Sequence, residues 1–216
     1  EIIILSISMN STDTQSRIYI WLVTLTAALG GFLFGYDWVV IGGAKSFYEP
    51  YFKITSSSDQ GWGTSSALVG CMVGAGLCVF LSEPLGRKRL LLFSGLLFTL
   101  SAVGTALADT FWSFNFYRIV GGVAMGVALN LSPLYISEIA PTHLRGRMVT
   151  INQLLIMIGV LMAQVVNWLI ASSDSQLSAD AGMQEIAASW SGNMGWRWMF
   201  GAETIPAFLF FILMFW

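Results

Sequence analysis

Six stretches of almost unbroken apolar residues, at 18–41, 62–81, 90–108, 111–136, 148–171 and 196–216, alternate with shorter polar segments along this chain. A helix needs about 20 apolar residues to cross a hydrocarbon core of about 30 Å, and each stretch approaches or exceeds that length. None shows the short two-residue alternation of an outer-membrane strand. The pattern therefore predicts an all-α, polytopic membrane protein of six transmembrane helices. Its connections are predicted at 42–61, 82–89, 109–110, 137–147 and 172–195, the third being a tight turn at Asp109 and Thr110.

Three spans followed by three more is the count of a 3+3 inverted repeat, the plan found inside each half of some transporters. There is no clear sequence identity between 18–108 and 111–216, which is usual for such repeats. Composition agrees with a bilayer: hydrophobic residues make up 56% of the 216 positions and charged residues 10%. A formal net charge of -2, with no like-charge run longer than Arg87, Lys88 and Arg89, gives nothing for a nucleic acid to bind. The few charges report topology instead. If the amino terminus is cytoplasmic, Arg17, Arg87, Lys88, Arg89, Arg145 and Arg147 lie inside, and Lys45, Lys53 and Arg197 outside. Glu49, Asp59, Asp109, Asp174, Asp180 and Glu185 then fall on the outer side, which is consistent but carries less weight.

The organisation expected is an amino-terminal cytoplasmic segment, 1–17, and a membrane domain, 18–216. Residues 1–8 have no basic region of the signal-peptide kind, and Met9 offers a start. The last apolar stretch runs to Trp216 with no polar tail, which suggests truncation. Cys71 and Cys78, seven apart in one apolar stretch, fit neither a zinc site nor a disulfide framework and read as packing residues. His143, the single histidine, has no second candidate ligand nearby, so neither a metal nor any other cofactor is expected. Gly70, Gly74 and Gly76, and Gly121, Gly122 and Gly126, have the small-residue spacing that lets helices approach closely. A phosphate-binding loop is excluded, because no strand precedes them and no lysine follows.

A charge inside a span costs about 2.5–3.5 kcal/mol even on the lower scales, so each one requires a reason. Asp37 lies deep in the first span, Arg118 in the fourth and Glu203 in the sixth. Asp37 and Arg118 sit on the first helices of the two repeats and can meet in the interior, offsetting part of each other's desolvation. Such a pair is either a proton gate or a structural salt bridge, and the residues alone leave the two readings level. The fifth span carries Asn152, Gln153, Gln164 and Asn167. Gln153 and Gln164 are about three turns apart, so with Asn167 they are predicted near one face. Amides donate and accept, which suits a hydroxyl-rich sugar, although interhelical hydrogen bonding explains any single one as well. Most of Trp21, Trp62, Trp112, Trp190, Trp196 and Trp198 fall near span ends, as an aromatic belt requires. Phe34, Tyr36 and Trp38 lie well inside a span, where their rings can stack on a pyranose.

Several segments together resemble one family. GGFLFGYD at 30–37 resembles the first-helix signature of the sugar porters of the major facilitator superfamily, and SEPLGRKR at 82–89 its loop between helices two and three. YRIVGGVAMG at 117–126, PLYISEIAP at 133–141 and LRG at 144–146 resemble the fourth-helix signature. Asn152 and Gln153, then GWRWMF at 195–200 with Glu203 and Pro206, complete the series. The resemblance covers nearly the whole chain and implies the amino-terminal six-helix half of a twelve-helix transporter. By the same resemblance Asp37 is the proton-coupling aspartate and Arg118 its partner, which weighs the pair toward proton coupling. Phe34, Gln153 and Ile156 are implied in sugar binding, with Gln164 added from the amide pattern. Glu83, Arg87, Glu138, Arg145 and Glu203 are implied in a cytoplasmic charge network that gates the protein.

The sequence departs from the family pattern at Pro84, at Glu83 in place of aspartate, at Val79, and at Val160, where a second sugar-binding glutamine is expected. The function expected is proton-coupled symport of a monosaccharide, pentose or hexose, by alternating access in a cell membrane, that of a bacterial inner membrane. A sugar sensor, or a fragment that no longer transports, is the alternative. Partners are the sugar, the proton, lipid, and a carboxy-terminal half or a second copy. No catalytic nucleophile with its base can be assembled from the loops, so the chain is not read as an enzyme.

Overall fold

The computed structural model describes residues 18–173 and 182–216 in full and residues 2–17 as helix backbone. Asp174 and Asp180, expected on the outer side, and the side chain of Arg17, expected on the inner, lie outside the described residues. Among the described residues, every regular element is helical: α1 Ile2–Tyr51, α2 Ser57–Leu85, α3 Arg87–Ala106, α4 Phe111–Ile139, α5 Arg145–Ser172, the short α6 Met183–Ala188, a π-helical turn Ser191–Gly195, α7 Trp196–Gly201 and α8 Thr204–Phe215. Six helical segments are long and apolar enough to cross a membrane: Ile18–Tyr51, Ser57–Leu85, Arg87–Ala106, Phe111–Ile139, Arg145–Ser172 and Ser191–Phe215.

The number of spans agrees with the apolar pattern, and several boundaries do not. The first helix runs ten residues past 41, through Gly42 and Gly43, because nothing breaks it before Pro50 in its last turn. The connection expected over 42–61 shrinks to five residues. That expected over 82–89 shrinks to Gly86, whose φ of 81° turns the chain between α2 and α3 where a side chain would strain it. Thr110 caps α4 by accepting the Ser113 amide at 3.2 Å, and α4 stops at Ala140, whose backbone the following Pro141 holds extended. The sixth span is not one continuous α-helix from 196. It begins in a π-helical turn and breaks between α7 and α8 at Ala202 and Glu203, because Pro206 has no N–H for the Ala202 carbonyl.

The packing of the helices carries the repeat. α1 packs mainly on α5, and α4 mainly on α2; α4 also rests on α3, α1 on the sixth span, and α3 on the sixth span. Exchanging spans one, two and three for four, five and six maps this set of contacts onto itself, as an inverted repeat demands. Glycines form both principal seams. A Cβ on Gly70, Gly74, Gly122 or Gly126 would overlap a carbonyl across the α2–α4 seam, and one on Gly35 or Gly159 would do the same across α1–α5. In hydrocarbon, where burial supplies no drive for helices to associate, this backbone approach maximises dispersion contact. Gly76, expected in the same role, faces open space because it lies two residues, about 200°, around the helix from Gly74. Gly121 instead meets Ser101 of α3.

Three apolar clusters fill the bundle among the described residues. One gathers Leu33, Leu91, Phe98, Met125, Leu131 and Phe210, and a smaller one Ala27, Ala28, Ile136, Ala140 and Met148. The third is aromatic: Phe114 lies 5.0 Å from Tyr48, 6.0 Å from Trp196 and 5.6 Å from Phe200 between ring centroids. Trp196, expected in an interfacial belt, is completely buried in this cluster, whereas Trp62, Trp112, Trp190 and Trp198 are exposed.

Candidate functional site

Asp37 sits about 28 Å along α1 from Ile18 and about 21 Å from Tyr51, at the rise of a regular helix. It is therefore near the middle of the first span. Gly31, about one turn and a half earlier, and Gly35, two residues earlier, bring α1 against α5. Arg118 projects from α4 one turn before Gly122, the residue that seats α4 on α2. The two side chains form a direct ion pair between Arg118 Nη1 and Asp37 Oδ1, with each residue 3% exposed. The Arg118 guanidinium also lies over the Phe200 ring at 5.3 Å, a cation–π contact from the sixth span.

The structure adds a third charge to this pair. Glu203, at the break between α7 and α8, is buried to the same degree and lies within hydrogen-bonding reach of Asp37. It is placed with Asp37 and Arg118, away from the Arg87–Glu138 pair with which the sequence grouped it. The backbone at Ala202 and Glu203 stays in the right-handed helical region, and the packing of the sixth span on α1 and α3 directs Glu203 into the bundle. Asp37 Oδ2, Glu203 Oε1 and Arg118 Nε are buried with no protein hydrogen-bond partner, so the cluster has unspent donor and acceptor capacity. Next to it, Tyr48, Phe114, Trp196 and Phe200 belong to a buried aromatic cluster, with Phe200 touching both Phe114 and Arg118.

Access comes from the side. A cavity of about 430 Å³ between α1, α2 and α4 is lined by Trp38, Ile41, Thr64, Leu68, Arg118 and Met125, among others, so Arg118 forms part of its wall. α1 and α2 make little contact with each other, and the cavity occupies that gap. Its size and mostly apolar lining are those of small-molecule sites, which run from about 300 to 1,000 Å³.

The residues expected to bind sugar separate. Ile156 is buried against α1 and Phe34 is partly buried, while Gln153 and Gln164 are exposed. Asn167 does not share their face: it is buried on α1, where its amide donates to the Val40 carbonyl at 3.3 Å, and Asn152 is buried against Gly31. Tyr36 turns into the bundle and donates to the Met199 carbonyl at 3.2 Å, so it cannot stack on a ligand. Trp38 is half exposed, with its ring 6.2 Å from that of Phe34 and inclined by 26°.

At the opposite end, Arg87 binds Glu138 through Nε and Nη2, both at 3.0 Å, and donates to the Ser82 carbonyl at 3.1 Å. This ties the α2–α3 turn to the end of α4. Glu83 and Arg145 are exposed, and neither forms an ion pair among the described residues. On the other rim Arg197 donates to Asp109 at 3.0 Å, to the Tyr51 hydroxyl at 2.9 Å and to the Ala106 carbonyl at 3.2 Å. Sequence reasoning assigned Arg197 no role; its place in a short apolar motif was the available signal.

A bundle of six spans in an inverted repeat, with paired charges at its centre and a cavity reaching them from the side, defines the half-unit of a secondary transporter. The model of the sugar (and other) transporter family matches residues 23–216, and the chain belongs to that family. It is 39% identical to the glucose transport protein of Synechocystis over 94% of this chain and 42% of that protein. It is 37% identical to the D-xylose-proton symporter of Escherichia coli K12 over 96% of this chain and 44% of that protein. A solved structure of a major facilitator superfamily proton:xylose symporter, bound to 6-bromo-6-deoxy-D-glucose, superposes with a TM-score of 0.81 at 37% identity. That alignment covers 93% of this chain and 45% of the other. The chain thus spans rather less than half the length of the relatives it matches, and its fold is one half of theirs.

Proposed function

We propose that this chain is the amino-terminal half of a proton-coupled monosaccharide transporter, and that Asp37, Arg118 and Glu203 form its proton site. The observation that carries this is the buried cluster itself. Two carboxyls and one guanidinium sum to a formal charge of -1 when both acids are ionised and to zero when one is protonated. In a low-dielectric interior, uptake of one proton therefore neutralises the cluster, and a conformational change that exposes it on one side or the other can load or release that proton. Its members come from α1, α4 and the sixth span, so relative movement of these helices changes their separation. The names of two relatives, a D-xylose-proton symporter and an arabinose-proton symporter, support the same coupling.

The substrate is a monosaccharide, recognised in part by Phe34, Gln153, Ile156 and Gln164. The exposed amides of Gln153 and Gln164 leave that side of α5 available to a ligand held jointly with a second six-helix half. Arg87 with Glu138, joined by Glu83 and Arg145 in another conformation, gates the inner rim. The excess of basic residues on the 82–89 and 137–147 side supports a cytoplasmic position for that rim and for the amino terminus. In the full transporter, with its second six-helix half present, Asp37→Asn abolishes uphill uptake of D-xylose or D-glucose into proteoliposomes while leaving sugar exchange. Uphill uptake that survives the substitution removes the proton-site reading, and an Asp37→Asn protein that binds sugar but never exchanged it before substitution marks a sensor.

A further inference from the structure

The cavity beside Arg118 has one wall that nothing above accounts for. Trp38 lies one turn after Phe34 on α1, its indole about half exposed, and the two rings overlap at 6.2 Å with an inclination of 26°. An interfacial belt does not explain it, because Trp38 stands about 30 Å along the helix from Ile18 and about 20 Å from Tyr51. Contact with a lipid tail does not explain the cavity, because the wall opposite includes Arg118, a cationic residue that hydrocarbon does not solvate. On the α2 side Thr64 lines the same space, and its hydroxyl already donates to the Gln60 carbonyl at 3.0 Å, so it presents acceptor lone pairs.

The cavity therefore offers an aromatic platform on one side and a donor and an acceptor on the others. A monosaccharide ring has this complementary character: one face of axial C–H groups suits an aromatic surface, and its edge of hydroxyls both donates and accepts. We propose that Trp38 is a sugar-contacting, affinity-determining residue, whose indole, backed by Phe34, receives the carbon face of a monosaccharide lying in the cavity between α1, α2 and α4, with the ring hydroxyls turned toward Arg118 and Thr64. This rests on the transporter reading above and extends it, since it brings the sugar against the arginine that pairs with Asp37.

The test uses the full transporter, with its second six-helix half present, in proteoliposomes with D-xylose and D-glucose as probes. Trp38→Ala raises the half-saturating concentration of the transported sugar by about tenfold or more, and Trp38→Phe, which keeps a ring, stays within about threefold. A second measurement does not depend on any variant reaching the membrane in active form. In protein labelled with 5-fluorotryptophan, the fluorine resonance that disappears in Trp38→Phe shifts when the unsubstituted protein is saturated with sugar. Equal half-saturation in Trp38→Ala, or a resonance that stays in place while uptake proceeds, overturns the assignment of Trp38 and leaves the transporter reading standing. An unsubstituted protein that neither binds nor takes up either sugar overturns both.

Discussion

Two arginine–carboxylate pairs in this bundle have similar chemistry and opposite surroundings. Arg118 and Asp37 are each 4% exposed at the side chain, with Glu203 alongside; Arg87 and Glu138, at the rim formed by the α2–α3 turn and the end of α4, are 28% and 43% exposed. At the rim, water screens both charges and competes for their hydrogen bonds, so a pair of this kind contributes between about 0 and 1 kcal/mol. In the interior each charge is tolerated because the other is present, and removing one leaves its partner stranded. The rim pair can open and close at little cost, as a gate requires. The buried cluster resists separation unless a proton changes its charge, as a coupling site requires.

That contrast can be broken experimentally. Arg118→Ala strands two buried carboxyls and lowers stability by about 3–5 kcal/mol, seen as a large drop in thermal unfolding temperature in detergent, whereas Arg87→Ala costs less than about 1 kcal/mol. Equal losses at the two sites would erase the distinction. Gly122→Val, which forces a side chain into the Ala67 carbonyl, costs about 1–3 kcal/mol or more by the same measurement, while Gly76→Val, facing open space, is neutral. If both were neutral, the α2–α4 seam would not be what holds Arg118 in place. Glu203→Gln alters the pH dependence of sugar uptake and Glu138→Gln leaves it unchanged; the reverse result assigns the coupling role to the rim. The smallest effect is that of salt. The stability difference between Arg87→Ala and the unsubstituted protein narrows from low ionic strength to about 1 M, where the Debye length is about 3 Å, and that for Arg118→Ala does not.

How far the site was legible in the sequence depended on what kind of signal each residue gave. Asp37 and Arg118 stand out because an ionised side chain in an apolar run is costly, and two opposite charges in two such runs suggest each other. Glu203 stood out for the same reason, yet the resemblance grouped it with Arg87 and Glu138, and only the packing of the sixth span in the bundle sets it beside Asp37 and Arg118. Around α5, Asn152 and Gln153 are neighbours in sequence about 100° apart on the helix. Periodicity shows that they face differently but not which of them meets α1. The structure shows Asn152 and Asn167 buried there and the two glutamines exposed. Gly74 and Gly76 are a similar case, equal in composition and separated by half a turn.

Apolar run length and the rarity of charge determined by themselves that this chain crosses a membrane six times, since a bilayer accepts backbone only as closed helices and penalises each charge by amounts that composition reveals. Helix ends were placed only coarsely, at 82–89 and 137–147, where the structure narrows them to Gly86 and to the segment around Pro141. Which faces meet was decided only by the tertiary structure. A helix that is apolar all round has no single preferred side, and the choice among its sides comes from how closely backbones can approach at Gly35, Gly122 and Gly159, an interaction between residues distant in sequence. That choice set Asp37, Arg118 and Glu203 in one cluster and left Trp38 facing the cavity beside it.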